Sequence, residues 1–407
     1  MYLTFAWRYF KAKKNTNAIT IISWITAGVI AFSTLCQVLV LSVFNGFEDL
    51  VKSLYSNFYT DVRIIPANGK TIMLSAKDLQ AIRGVENIKD ISLVVEEKAL
   101  VQNGEAQTAV FLKGVDDNYR KVSGVAGKML HGEFETGNGD KPLLVLGAGV
   151  ESGLNIESGG SLSPLTVFLP KRNIHTDDIL SSISEGNAYT SGSFAIQQDF
   201  DDKYVLTNLG FVKQQMNYKP DEYTAVEIKL ADSSSTKKVV QSLEKMMGKG
   251  FIVQTRYQQN PTLYNSMELE KWAVFAILTL ILIIAAFNMV SALTMLVLEK
   301  KKDISILQSL GGTRGMVLKI FLSEGMILAT VGSIIGIVLA VIIGLAQQRF
   351  KFIKLTGNSF LIDYFPVKFL LTDFLLVGFT TFVIAFIASW LPARKASRHI
   401  ISLRNVE

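Results

Sequence analysis

Cysteine occurs once in the 407 residues, at Cys36, so no disulfide can close within the chain and any domain outside a membrane must fold on its own apolar core. Histidine is almost as scarce. His131, His175 and His399 are scattered, with none of the His/Cys spacing of a zinc site. No glycine-rich loop ends in Gly-Lys-Ser/Thr: Gly127-Lys128 is followed by Met129 and lacks the upstream glycine, which excludes a phosphate loop of that kind. The carboxylate pairs Glu96-Glu97 and Asp201-Asp202 read as solvated surface. Nothing in the chain has the pattern of a catalytic group or of a bound cofactor. An energy source, if the protein uses one, must reside in another chain.

Charge is missing from four stretches. None falls between Lys14 and Glu48, between Lys271 and Glu299, between Glu324 and Arg349, or between Asp373 and Arg394, and each gap is at least 20 residues long. A helix needs about 20 apolar residues to cross a bilayer. Four spans are therefore expected, one before and three after a large polar segment. The first gap, 33 residues, far exceeds the ~7–15 residues of a signal-peptide core and has no cleavage pattern after it, so it reads as an uncleaved anchor. Around Cys36, Leu35 stands where a lipid-attachment motif wants a small residue.

Charge also orients the spans. Short loops rich in Lys and Arg stay in the cytoplasm. Thirteen such residues flank one side: Arg8, Lys11, Lys13, Lys14, Lys300, Lys301, Lys302, Arg314, Lys319, Arg394, Lys395, Arg398 and Arg404. Only Arg349, Lys351, Lys354 and Lys368 lie in the short loop on the other. Both termini are expected in the cytoplasm and residues 46–270 outside the inner membrane. That segment carries 23 basic and 29 acidic residues, whereas the whole chain carries 41 and 35, so the overall charge of +6 hides an acidic domain and basic loops. The basic half is explained by membrane topology and does not call for nucleic acid.

The polar segment reads as α+β. Alternation predicts a strand at Asp61–Ile65, then a short helix opened by Ser75-Ala76-Lys77-Asp78 and stopped at Gly84. Strands near Ile88–Val101 and Gln107–Gly114 flank Asn103-Gly104, a hairpin signal. A strand at Tyr223–Leu230, a helix at Ser235–Met247 and a strand at Phe251–Arg256 follow much later. The order β-α-β-β, gap, β-α-β fits a split ferredoxin-like unit (58–115 and 220–260) around an inserted second subdomain (116–219). Inside the insertion, strands are expected near Leu143–Leu146, Leu165–Leu169, Ser193–Gln197 and Tyr204–Thr207, and residues 170–192 read as an exposed loop. The fold expected is thus an α-helical membrane domain of four transmembrane helices, arranged 1+3, with an inserted α+β periplasmic domain. Its parts are a cytoplasmic N-terminus (1–18), span 1 (19–45), the domain (46–270), span 2 (271–298), a cytoplasmic link (299–315), span 3 (316–346), a periplasmic loop (347–370), span 4 (371–393) and a cytoplasmic tail (394–407).

The most specific pattern surrounds the link. Met267-Glu-Leu-Glu-Lys271 leads into span 2, which ends Ala286-Phe-Asn288-Met-Val. Glu299-Lys-Lys-Lys-Asp303-Ile-Ser-Ile-Leu307-Gln-Ser-Leu-Gly311-Gly follows, then Phe321-Leu-Ser-Glu324-Gly. From Asp303, the residues Ile304, Leu307 and Leu310 fall on one face of a short helix ended by Gly311, with Asp303 suited to its first turn. Small residues at Ala329, Gly332, Gly336, Ala340 and Gly344 suit close helix packing in span 3. Glu324 and Arg349 bracket that span and are expected at its interfaces.

These motifs, with Ser42-Val-Phe-Asn-Gly-Phe-Glu48 in span 1 and Leu391-Pro-Ala to Leu403-Arg404 at the end, resemble the permeases of the lipoprotein-releasing ABC transporter, the LolC/LolE type within the FtsX/MacB group. The tail departs from that pattern at His399-Ile400. The resemblance implies a subunit that binds no cofactor itself, paired with a second permease, either a copy or a paralogue. A separate ATPase that binds ATP would seat the link as a coupling helix (Asp303, Ile304, Leu307, Leu310, Gly311), unless that helix lies on the lipid surface. The substrate would be an acylated lipoprotein of the inner membrane, passed to a periplasmic carrier. Phe44, Asn45, Phe47, Met267, Leu269, Trp272 and Phe275, at the outer ends of spans 1 and 2, are the candidates to hold its acyl chains; an interfacial aromatic belt would explain the same residues. A MacB-like efflux permease and an FtsX-like signalling permease controlling a cell-wall hydrolase are the alternatives. The first usually carries a fused ATPase and the second a much smaller outer domain. The charge count makes a direct prediction: a reporter fused at Arg404 will read cytoplasm and one inserted at Gly186 will read periplasm, and the reverse pattern would overturn the topology.

Overall fold

Residues 17–156, 163–171, 183–354 and 364–398 are described in a computed structural model of the chain. The chain divides into two units: one holds the stretch up to Leu50 together with that from Asn265, the other is Val51–Tyr264.

Among the described residues four helices are long and apolar enough to cross a membrane: span 1 (Asn17–Tyr55), span 2 (Pro261–Glu299), span 3 (Arg314–Phe350) and span 4 (Leu371–Arg398). Spans 1 and 2 run as helix well past the apolar stretches expected from charge. Helix-forming residues such as Glu268, Glu270 and Lys271 carry span 2 back to Pro261, whose missing N–H costs nothing in a first turn. Hydroxyls inside the spans donate to the carbonyl one turn earlier: Thr26 to Ile22 at 2.8 Å, Ser42 to Val38 at 2.7 Å, Ser389 to Ala385 at 2.7 Å. Ala329, Gly332, Gly336, Ala340 and Gly344 are all buried. A Cβ on Gly332 would stand 2.7 Å from the Ala27 carbonyl, and one on Gly336 would collide with that of Ala31, so span 3 lies almost backbone to backbone on span 1. Arg349 is exposed, but Glu324 is not interfacial in the way charge alone implied. It is 4% exposed, one carboxylate oxygen has no hydrogen-bond partner, and it sits ten residues into a helix that begins at Arg314, about 15 Å along its axis.

The second unit is built on a ten-stranded sheet. Its strands are β1 (Val62–Pro66), β3 (Ile88–Asn103), β4 (Ala106–Val115), β5 (Met129–Gly132), β6 (Leu143–Gly147), β7 (Leu165–Pro170), β8 (Ile183–Phe194), β9 (Tyr204–Asn208), β11 (Ala225–Leu230) and β12 (Phe251–Thr255). β2 (Ile72–Met73) and β10 (Glu222–Tyr223) form a separate pair. The order is β12-β1-β11-β3-β4-β9-β6-β8-β5, with β7 bridging β3 and β8. β12, β1, β11 and β3 are antiparallel neighbours. Two helices join them in sequence, α1 (Ala76–Arg83) and α3 (Thr236–Met247), with α2 (Leu209–Met216) inside the insertion. α1 begins as its sequence indicates: the Asp78 amide donates to Ser75 Oγ at 3.3 Å and the Ser75 amide to Asp78 Oδ2 at 2.9 Å.

Three features differ from the sequence reading. The insertion shares its core with β3 and β4, where Leu144, Leu146, Val167 and Val205 pack with Val101 and Leu112, and it shares their sheet: β9 pairs parallel with the free edge of β4 and continues it. The loop expected at 170–192 is a strand from Ile183, low in β propensity but paired along both edges by β7 and β6; residues 172–182 lie outside those described. The hairpin turn falls one residue later than expected, on Gly104-Glu105, where Gly104 adopts φ +58° and Asn103 still pairs with Ala106.

A fourth difference is chemical. Glu96 is no surface carboxylate. On one face, Arg63 of β1, Glu227 of β11, Glu96 of β3 and Lys113 of β4 form a row of charges through the sheet. Lys113 Nζ lies 2.7 Å from Glu227 Oε1, and Arg63 Nη2 donates to Glu96 Oε2 at 2.9 Å. Lys113 and Glu227 are 1% and 2% exposed, and the rings of Phe58 and Tyr119 cover the ammonium at 4.7 and 4.9 Å. Burial alone would pull Lys113 down; Glu227 overcomes it and holds the ammonium above the ordinary lysine value. Burial would likewise raise Glu96, but Arg63 and Lys113 keep it below the usual carboxylate range. Removing one partner of such a pair costs more than removing both. Lys113→Met is expected to destabilise the protein by about 3–5 kcal/mol, toward the lower figure because Arg63 Nε stays 3.8 Å from Glu227. The double variant Lys113→Met/Glu227→Leu should regain most of the loss, as read by thermal unfolding of the purified protein.

Candidate functional site

The link between spans 2 and 3 is a nine-residue helix, Lys301–Ser309, with Asp303 in its first turn, 3.2 Å from Lys300 Nζ. Gly311 at φ +90° takes the left-handed turn that lets the Gly312 amide reach the Leu307 carbonyl at 2.9 Å. The expected apolar face is divided. Ile304 is buried, and Leu307 is packed beside it, against the core of Val317, Phe321, Leu293 and Val297. Leu310 is 81% exposed and Ile306 is 60% exposed. The apolar surface offered beyond the chain is therefore Ile306 and Leu310, at the edge of which Asp303 is also exposed. Ile306 escaped a reading based on one helical stripe because the stripe's first two members are used within the chain.

The ends of spans 1 and 2 that lead into the inserted domain hold the other candidates. Leu269 and Trp272 are exposed, while Phe44, Phe47, Met267 and Phe275 are half-buried. Trp272 and Phe275 meet edge to face with ring centroids 5.9 Å apart. Asn45 is unlike these residues: it is 3% exposed and fully engaged. Its Nδ2 donates to Asp373 Oδ2 in the first turn of span 4 and reaches the Lys368 carbonyl at 3.4 Å. Its Oδ1 accepts from Lys271 Nζ of span 2 at 2.7 Å, and that ammonium lies 4.0 Å from Asp373. One amide thus joins three helices. Interhelical hydrogen bonds of this kind average about 0.6 kcal/mol and reach about 1.7 kcal/mol.

The residue after it completes the joint. A Cβ on Gly46 would run into the Pro366 carbonyl, because the segment preceding span 4 lies directly across span 1. This strap is held by the Lys368 amide on the Ser42 carbonyl at 2.9 Å, by Lys368 Nζ on Asp49 at 2.6 Å, and by Gln348 Nε2 of span 3 on the Val367 carbonyl at 2.8 Å. Sequence marks Lys271 and Asp373 only as opposite charges bounding two uncharged stretches, Lys271 also as the end of the Met267–Lys271 motif, and gives no signal for Pro366. Asn288, in span 2, is exposed and faces away from its own chain.

Among the described residues no group of His, Cys, Asp and Glu is arranged to hold a metal ion. His131 Nδ1 lies 3.4 Å from Glu151 and 3.3 Å from Ser193, so both polar neighbours share one ring nitrogen and the relay of a nucleophilic triad is not formed.

Four spans, a folded domain inserted between the first two and a short capped helix between the second and third are the architecture of a multi-pass membrane permease subunit. Residues 23–246 match the family model of the MacB-like periplasmic core domain, and residues 275–401 match that of the FtsX-like permease C-terminal region. The chain belongs to this family of ABC-transporter permeases, and within it is of the LolC/LolE type. It is 28% identical to the lipoprotein-releasing system transmembrane protein LolC of Neisseria meningitidis serogroup B, over 96% of this chain and 95% of that one. It is 26% identical to the lipoprotein-releasing system transmembrane protein LolE of Haemophilus influenzae, over 97% and 96%. Among solved structures, the periplasmic region of MacB from Actinobacillus actinomycetemcomitans aligns with 52% of this chain and 95% of its own at 16% identity and a TM-score of 0.36.

The joint predicts a specific sensitivity. Gly46→Ala should force the strap off span 1 and cost about 1–3 kcal/mol, as overpacking does. Gly28→Ala, in the same helix but with open space around the new methyl, should be neutral or stabilising. Thermal unfolding in detergent compares the two, and equal effects would refute the assigned role of Gly46.

Proposed function

We propose that this chain is the permease subunit of an ATP-binding-cassette complex that extracts acylated lipoproteins from the inner membrane for delivery to the outer membrane. The observation that carries the reading is that relatives named for lipoprotein release align with it almost end to end, through span 1, the inserted domain and the link alike. The efflux and signalling alternatives rest only on the broader family and are not favoured.

In this reading both termini face the cytoplasm and the domain faces the periplasm, its β1, β3, β11 and β12 with α1 and α3 forming the split ferredoxin-like unit. The chain itself is not an enzyme. ATP is hydrolysed by a separate ATPase seated on the link helix, with Ile306 and Leu310 as its apolar contacts, Asp303 beside them, and Ile304, Leu307 and Gly311 holding the helix on its own spans. A second permease, copy or paralogue, covers the exposed face of span 2, where Asn288 needs a polar neighbour. Acyl chains lie against Phe44, Phe47, Met267, Leu269, Trp272 and Phe275, with Asn45 fixing the helices that carry them, and a periplasmic carrier receives the lipoprotein. The need for ATP is physical: each acyl CH₂ withdrawn from hydrocarbon costs about 0.8 kcal/mol.

The test is reconstitution. Vesicles holding the full complex and a triacylated lipoprotein should release it to a soluble carrier only with ATP, and a photo-crosslinker at Phe47 or Met267 should capture it when the ATPase is inactive. Leu310→Asp should lower ATPase binding and release by tenfold or more while leaving membrane insertion and unfolding temperature unchanged. ATP hydrolysis by the isolated chain, or a crosslinker that captures phospholipid and never lipoprotein, would overturn the reading.

A further inference from the structure

Span 2 is packed along only half its length. Its buried residues run from Leu282 to Val297, and none lies between Lys271 and Ile281. Two polar contacts join that first half to span 1: Lys271 Nζ to Asn45 Oδ1 at 2.7 Å, and Gln37 Nε2 to Thr279 Oγ1 at 3.3 Å. They are rungs of one seam. Asn45 and Gln37 are eight residues apart on span 1, and Lys271 and Thr279 are eight apart on span 2, as antiparallel helices in a single register require. Eight residues is about 12 Å of helix. Between the rungs, half-buried Phe275 rests on the cluster of Val38, Leu41, Ala340 and Val377. Gln37 is wholly buried, yet its Oε1 has no hydrogen-bond partner, and neither has Thr34 Oγ1 one turn away. Gln37 and Asn45 are buried and Lys271 and Thr279 half-buried, and a polar seam left partly unsatisfied holds less firmly than apolar packing of the same extent.

We propose that these two rungs are a releasable lock on the first half of span 2, and that their parting lets this half swing away from span 1 about the packed second half, opening a path along the seam for an acyl chain. Gln37, Thr279, Asn45 and Lys271 are then positioning residues, and the lock rests on the permease reading given above. Span 4 and the strap bear on it through Asp373 and the Lys368 carbonyl, which hold the same Asn45 amide that Lys271 grips. Both rungs of the lock lie within one chain.

The experiment uses the full complex in vesicles, with Cys36→Ser, Gln37→Cys and Thr279→Cys in this chain and a short reducible bis-methanethiosulfonate linker. The pair should link without nucleotide, lipoprotein release should then slow by tenfold or more while the ATPase stays bound, and a reductant should restore the rate. Release by the linked complex at the unlinked rate would overturn the lock and leave the permease reading standing, as would failure of the pair to link at rest. Absence of release from the parent complex would overturn that reading and the lock with it. A second measurement needs no transport: Lys271→Met removes one rung without adding bulk, and with Cys36→Ser and Thr279→Cys it should raise the rate of thiol labelling at that position severalfold. An unchanged labelling rate would also overturn the lock.

Discussion

A polar side chain shut away from water must find its partners in protein. The Asn45 amide, 3% exposed, meets this constraint at the joint of spans 1, 2 and 4. Its donor side is directed to span 4 and the strap and its acceptor side to span 2, so three helices take their relative positions from one group. The neighbouring choices follow. Gly46 must lack a side chain because the strap passes over it. Asp373 occupies the first turn of span 4, where the free amides favour a carboxylate. Lys271 sits where span 2 leaves its polar first turns and lends its charge to Asn45 and Asp373. The Asn-Gly of the span 1 motif is thus a structural joint, and the aromatic residues on either side of it are the ones left half-open.

The inserted domain meets a similar demand in a different solvent. Its four charges lie on paired positions of adjacent strands: Arg63 opposite Glu227, and Glu96 opposite Lys113. Apolar residues of similar size could fill the space with equal stability. What charge adds is register. A slip of one residue in β1 or β4 would turn half-buried Arg63 or buried Lys113 to the other face and leave its carboxylate alone. Glu97, the next residue along β3, shows the other face: it pairs with exposed Lys70 at 3.0 Å.

Much of this organisation is legible in the sequence because it rests on local rules. Charge-free stretches mark the spans, Ser75 and Asp78 mark a helix start, and every fourth small residue in span 3 marks a close helix contact. What is not legible is pairing across long separations. Glu96 looks like surface until Arg63 and Lys113 are placed beside it. Residues 183–192 look like loop because their strand character is conferred by β6 and β7 and not by their own side chains. Ile304 and Leu307 have the right spacing for a partner's groove, and only the fold shows that Val317 and Phe321 already cover them, leaving Ile306 and Leu310 outermost. Lys271, Asn45 and Asp373 are separately visible as polar residues near the ends of spans, but no single-sequence rule joins positions more than two hundred residues apart.

The distribution of packing along span 2 says where the membrane unit is stiff and where it yields. No glycine or proline interrupts the helix after Pro261, so its 39 residues, about 58 Å, behave as one rod. Its second half shares a core with the link helix: Leu293, Leu296 and Val297 lie in the cluster that also contains Ile304, Val317 and Phe321. A push on the link helix is therefore delivered to a well-packed segment that cannot absorb it by local repacking, since close-packed cores transmit strain. The first half has no comparable core and is tied to span 1 by two polar rungs and one ring. Force applied at the packed end must reappear at the end that is least restrained. The compliant part of the pair is thus the part farthest from the link, beside Phe44, Phe47, Met267 and Trp272, where a small rotation about the packed half becomes the largest displacement the rod can make.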